Sequence, residues 1–227
     1  LAAYNARAAG VRDYIAQLMF NSPPGLLDAM DLAKMLAILD LIEPLAGPDF
    51  RIWRQTRTGL LSYPLDPDAA RAHLAASVYL QMALKPHIVH VVGYVEAHHA
   101  ATGEDVIASC KLARRAIENA LAGQPDMTAD PLIQTRRAQL AAEARLTLAA
   151  IADLAGSGIS DPFTDSATLT RAVTRGILDA PQLKNNPFAR GQIATRVING
   201  QCLAVNSNGS PLNELERLEK LNSEEIG

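Results

Sequence analysis

Cysteine is almost missing from this chain. Its 227 residues include two, Cys110 and Cys202, which form neither a metal-ligand spacing nor a disulfide framework. That usage favours a reduced, cytoplasmic setting. A dominant charge is missing as well. With 21 Lys and Arg against 24 Asp and Glu, the net charge is −3, so there is no electrostatic case for nucleic acid or an anionic membrane. No apolar run reaches transmembrane length, and no signal peptide opens the chain. The G-x-G-x-x-G, P-loop and G-x-S-x-G patterns are absent, which removes sequence support for nucleoside-triphosphate chemistry and for Ser-His-Asp catalysis. The first residue is Leu1 rather than Met; the expectation is a processed chain or part of a longer one.

What is present is a core. Apolar residues make up 48% and charged residues 20%, enough for one large domain or a domain with an appendix. Three units repeat. Asp13–Phe20 reads as a strand, and a helical pattern follows over Leu26–Leu45. Phe50–Thr56 reads as a second strand, and a helix runs from Asp66-Pro67, proline occupying the first-turn slot it tolerates, to about Leu84. Ile88–Val95 is a β-branched apolar run of the kind found in strands buried on both faces. Its helix, about Gly103–Leu121, is announced by Thr102 and Asp105 as a capping box. Strand–helix alternation of this period is the grammar of a parallel sheet. The expected architecture is α/β: the last three βα units of a (β/α)8 barrel over residues 1–125, then a mainly helical extension with a short β-hairpin over 126–227. The hairpin turn is Asn199-Gly200.

In barrels and open α/β sheets, sites form at the carboxyl ends of strands. Glu96, Tyr94 and His98 fall at that edge of the third strand, Arg57 and Thr58 at that of the second, and Asn21 at that of the first. Arg57-Thr58 is suited to clamp a carboxylate or phosphate. A metal is not expected: His87, His90, Glu96, His98 and His99 carry suitable atoms, but neighbours on a strand point to opposite faces and no short ligand pair of familiar spacing occurs. Arg136, Arg137 and Arg145 read as the solvated face of a long helix.

From Gly10 to Cys202 the order of short motifs resembles the carboxy-terminal part of the barrel subunit of glutamate mutase (methylaspartate mutase), the epsilon-type subunit. The motifs are Gly10-Val-Arg, Asp28, Tyr63-Pro-Leu-Asp66, Glu96 and Leu121-Ala-Gly-Gln124. Gly176-Ile-Leu-Asp179-Ala-Pro181, Phe188-Ala-Arg-Gly191 and Arg196-Val-Ile-Asn199-Gly200 follow in the same order.

The resemblance implies radical carbon-skeleton isomerisation of a small dicarboxylic acid with adenosylcobalamin. It implies that the barrel holds substrate and the adenosyl group, and that a flavodoxin-like subunit or domain holds the cobalamin; the D-x-H-x-x-G motif of that partner is absent here. A lysine and a glutamate four residues apart contact the adenosyl ribose in that family. Glu96 takes the glutamate position, with Tyr94 beside it, and Val92 stands where the lysine would be. The missing barrel strands would come from the same longer chain or from a partner. Two other readings keep the scaffold: a non-catalytic, barrel-completing subunit, or a same-fold enzyme with another substrate.

Overall fold

The computed structural model describes residues 1–225. It is a mixed α/β protein with a parallel three-stranded sheet and a separate antiparallel one. The chain divides into two compact units. One comprises Arg12–Arg137, the other Leu1–Val11 with Ala138 onward. The sequence-based boundary at residue 125 therefore differs from the structural one, because the first turns of the helix Pro131–Asp153 pack with the parallel sheet through Ile133.

In the first unit, β1 (Asp13–Phe20), β2 (Arg51–Thr58) and β3 (Ile88–His90) lie side by side in chain order. The register pairs Asp13 with Arg51 through Phe20 with Thr58, and Gln55–Arg57 with Ile88–His90. Two helices make the crossovers, α2 (Asp28–Ile42) and α3 (Pro67–Gln81), and α4 (Gly103–Gly123) follows β3. Local chemistry fixes the helix starts. Asp66 accepts the Ala69 N–H at 2.8 Å with Pro67 in the first turn. Thr102 and Asp105 form the reciprocal box expected of them.

Alternation along the strands sorts the side chains. Leu18 and Phe20 pack on Leu32, Ala33, Met35 and Leu39 of α2 and on Leu80 of α3. Val89 and Val91 join a second cluster with Leu74 and Val78 of α3 and Ala113 and Ala116 of α4. The opposite face is open: Ile15 is 51% exposed, Trp53 36% and Ile88 39%. A parallel sheet ordinarily has both faces covered.

The third strand differs from its sequence expectation. Only Ile88–His90 join the ladder, and Ile88 and His90 are exposed rather than buried on both faces. Beyond them the chain leaves β2 and turns. Val92, Tyr94 and Val95 are buried in the layer formed with α3 and α4, not by strand neighbours. The apolar run was read as strand because burial alone, without periodicity, does not distinguish a strand from an irregular segment under helices.

In the second unit, α1 (Ala2–Ala8) is tied down by Tyr4 Oη, which donates to Asp161 at 3.1 Å, and by Asn5 Nδ2, which donates to the Phe163 carbonyl at 2.8 Å. The later part of α5 (Pro131–Asp153) and α6 (Ser166–Thr174) supply Ile151 and Ala172 to a small core. β4 (Ala194–Ile198) and β5 (Gln201–Val205) form the expected hairpin, with Asn199 and Gly200 both at positive φ as a tight primed turn requires. The sequence missed a third strand, β6 (Pro211–Leu212), which precedes α7 (Glu214–Glu225). Among the described residues, no helix is long and apolar enough to cross a membrane.

Candidate functional site

The carboxyl ends of β1 and β2 are drawn together at Gly59. Its N–H donates to the Phe20 carbonyl at 2.7 Å, and a Cβ there would collide with the carbonyls of Phe20 and Asn21. Glycine is what allows two backbones to approach this closely.

Below this junction lies a buried polar chain. Gln81 Nε2 donates to Thr58 Oγ1 at 3.1 Å and to Ser77 Oγ at 3.0 Å. Thr58 Oγ1 donates to Ser77 Oγ at 2.9 Å, and Ser77 in turn donates to Asn21 Oδ1 at 2.6 Å. Asn21 sits at φ 56°; its backbone N–H donates to the fully buried carboxylate of Asp31. Lys34 pairs with Asp31 at 2.7 Å and donates to the Ser22 carbonyl at 2.6 Å. Burial raises the Asp31 carboxyl above its ordinary range, and Lys34 and the Asn21 N–H pull against that rise. Asn21 is thus fixed by two independent partners in a conformation that few non-glycine residues adopt.

Thr58 and Arg57 do not act as one clamp. Thr58 is buried on the helix-covered face, whereas Arg57 lies on the other, in register with Met19 and His90. Alternation along a strand requires this separation. Arg57 Nε is shielded from solvent and has no hydrogen-bond partner.

Tyr63, which the sequence offers as part of the Tyr63-Pro-Leu-Asp66 motif and not as a site residue, lies near the remaining groups. Its hydroxyl donates to the Val92 carbonyl at 3.1 Å. Burial pushes its pKa up to about 12, and the nearby Glu96 charge adds to the rise while Thr58 and Arg57 oppose it. Tyr63 therefore lies beside Thr58 and within electrostatic reach of Glu96 and Arg57. Tyr63-Pro64 lies in the loop after β2, a recognisable place for function, but its aromatic ring gives no sign in sequence of where it will point.

Glu96 is exposed, on a turn rather than at a strand end. One oxygen, Oε1, accepts the Gly93 N–H at 2.6 Å, and the other accepts no hydrogen bond among the described residues. Tyr94 lies elsewhere: its hydroxyl donates to Asp105 at 3.3 Å and accepts from Arg71 at 3.2 Å, and the Arg71 guanidinium stands 4.9 Å over its ring. It joins α3 to α4 in the helical layer. His98 bonds the Pro64 carbonyl through Nε2 at 2.9 Å, which holds the β2 loop against the β3 turn.

Asn21 opens instead on a cleft of about 300 Å³ with Leu26, Asp28, Ser62, His73 and Ser77. Ser62 Oγ lies 2.8 Å from His73 Nε2. Burial lowers the His73 pKa and the Asp28 charge opposes this. A serine–histidine pair was not expected from sequence, since its members are brought together by a loop turn and α3 and not by a motif. Among the described residues, no group of three or more His, Cys, Asp and Glu side chains is placed to hold a metal ion.

Neither a protein-family model nor a curated protein matches this chain.

Proposed function

We propose that this chain is the closing sector of a (β/α)8 barrel in an adenosylcobalamin-dependent carbon-skeleton mutase of the glutamate mutase type. The observation that carries the reading is the one-sided sheet. Three parallel strands in chain order, helices over one face and an open second face fit a barrel sector, whose inner face other strands would fill. A doubly wound sheet would place helices on both faces. The order of motifs from Gly10 to Gly200 supports the family.

The adenosyl group fits these residues on one side only. Glu96 presents a free carboxylate oxygen at the carboxyl edge, suited to accept a hydrogen bond from a ribose hydroxyl. Val92, at the lysine position, has its side chain in the apolar cluster with Leu74, Val78 and Ala113; it offers the group nothing. When bound, the cofactor would supply the radical chemistry. Glu96 would orient its sugar, Arg57 would meet a carboxylate of the substrate, and Tyr63 would anchor the loop after β2 to the Val92 carbonyl. A flavodoxin-like partner would hold the cobalamin, and a reduced cytoplasm would suit two cysteines that form no disulfide.

Val92 favours a second reading, a barrel-completing subunit without catalysis of its own. Native mass spectrometry of the endogenous protein with adenosylcobalamin separates the two. A cobalamin-dependent complex that Glu96→Gln weakens supports the mutase. Assembly with further barrel strands and no cobalamin dependence supports the completing subunit, and a monomer that takes neither removes both.

A further inference from the structure

The cleft between the β1 loop, the start of α2 and α3 belongs to neither reading. It contains a serine hydroxyl hydrogen-bonded to a histidine, with an aspartate and an asparagine in the same lining. We propose that this cleft hydrolyses short-chain carboxylic esters, with Ser62 as nucleophile and His73 as general base.

The geometry meets the requirements of an acyl-transfer site. Ser62 Oγ is 2.7 Å from the Gly59 carbonyl and 2.8 Å from His73 Nε2, so its single proton has two acceptors within reach. Turned toward His73, it makes the nucleophile–base pair. The imidazole is half-buried and stacked edge-on against Tyr63, with centroids 5.3 Å apart, which fixes its plane. Burial keeps it neutral near pH 7 and therefore able to accept a proton. Asp28 lines the same cleft, and its charge favours the protonated ring. For the oxyanion, Asn21 lines the same cleft, and its amide N–H2 donates to no group among the described residues. The first N–H groups of α2 are also uncapped, because Leu27 provides no side-chain acceptor. Pro24, Leu26 and Ala76 supply apolar wall for a small acyl group. A volume of about 300 Å³ is at the lower end of ligand clefts, which restricts the acyl and alcohol parts to short ones.

The chemistry balances without a further reagent. Ser62 Oγ bonds to the carbonyl carbon as its proton passes to His73 Nε2. The carbon–oxygen bond to the alcohol then breaks, and the alkoxide takes the proton from His73. Water attacks the acyl-serine, His73 again holding the proton and returning it to Ser62 Oγ as the carboxylic acid leaves.

The test is hydrolysis of p-nitrophenyl acetate by the full chain, with mass-spectrometric mapping of the acetylated peptide. Ser62→Ala and His73→Gln are each expected to lose at least about 100-fold of the rate above background, while Ser210→Ala keeps it. The acetyl group should map to Ser62. The rate should rise with pH through a value below 6.5, and Asp28→Asn should move that limb to still lower pH. No hydrolysis, an undiminished Ser62→Ala rate, or acetyl elsewhere would overturn the assignment. If Ser62→Ala does not fold, the position of the acetyl group on the wild-type chain decides alone.

Discussion

The unit around the parallel sheet and the unit around the antiparallel one hold their chain by different means. In the first, large apolar side chains do most of it: Leu18, Phe20, Leu32, Met35 and Leu39 interlock between β1 and α2. In the second the core is small, with Ile151, Ala172, Ile177 and Leu218 at its centre, and charged side chains hold backbone directly. Asp179 accepts the N–H groups of Ala180, Gly191, Gln192 and Ile193 at 2.9–3.0 Å. Arg217 donates to the carbonyls of Gly176 and Ile177 at 2.7 and 2.9 Å while forked on Glu214. The segments Gly176–Pro181 and Phe188–Gly191 therefore meet for a structural reason. The comparison teaches that a unit with little apolar volume can still be specific if each loop's polar groups have a designated partner.

The difference can be broken from either side. Phe20→Ala should have the largest effect. It leaves a cavity among fully buried neighbours and is expected to cost about 3–5 kcal/mol. Urea unfolding gives the magnitude, and hydrogen exchange should show β1 and α2 opening while the β4–β5 hairpin stays protected. Simultaneous opening of both would mean that the second unit depends on the apolar core of the first.

Asp179→Ala comes next, at about 2–3 kcal/mol for the loss of charge-assisted bonds to backbone. The amides of Gly191, Gln192 and Ile193 should lose protection, and the sheet unit should keep it. Asp179→Asn should lie between the two, since one of its two acceptor oxygens becomes a donor. An alanine variant as stable as wild type would show that solvent satisfies this loop unaided.

The open sheet face sharpens the comparison without changing stability much. Ile15→Lys places charge on an exposed position, so the folding free energy should move by no more than about 0.5 kcal/mol. Self-association, however, should fall, because exposed Ile15 and Trp53 on the open face and the free edge of β1 invite pairing with another copy. Sedimentation of both proteins over a concentration series measures this. A wild type that stays monomeric throughout would contradict it.

The same contrast explains what the sequence made legible. β1 has the bounds its pattern indicated, Asp13–Phe20, and the caps at Asp66 and Thr102 lie where their side chains predicted. Asn199-Gly200 turns the hairpin. These are local rules, enforced by neighbours in the chain. Apolar periodicity likewise located the helices that cover the sheet. What was not legible depends on distant pairings. The run Val91–Val95 is apolar because α3 and α4 cover it, so it mimicked a strand. β2 continues two residues past Thr56, and only that extension shows Arg57 and Thr58 facing opposite ways. Ser62 and His73 meet because a turn after β2 folds back over α3, and Asp179 reaches residues twelve to fourteen positions ahead through an irregular loop. No spacing rule anticipates either.

The last expected effect concerns Asp31, a charged residue fully buried in the unit that relies mainly on apolar packing. Its carboxyl is raised above 3.8 by burial, with Lys34 and the Asn21 N–H pulling it back. A raised folded value means that Asp31 contributes stability fully below 3.8, and that the contribution is lost as pH rises through the folded value. The N-cap residue Asp165 and the capping-box Asp105 have the opposite sign. Their hydrogen bonds to Thr168 and Thr102 lower them, so they contribute above 3.8 and lose that contribution as pH falls through their depressed values. Asp31→Asn keeps an acceptor for the Asn21 N–H and removes the buried charge, while Lys34 retains the Ser22 carbonyl. The variant should therefore melt at or slightly above the wild-type temperature at neutral pH, by an amount on the order of 1 kcal/mol or less. The gap should close as pH falls through the raised native value, where the wild-type carboxyl is itself protonated. If the variant melts lower at neutral pH and the gap still closes in acid, the Lys34 ion pair outweighs burial, and the polar anchoring seen at Asp179 extends into the sheet unit as well.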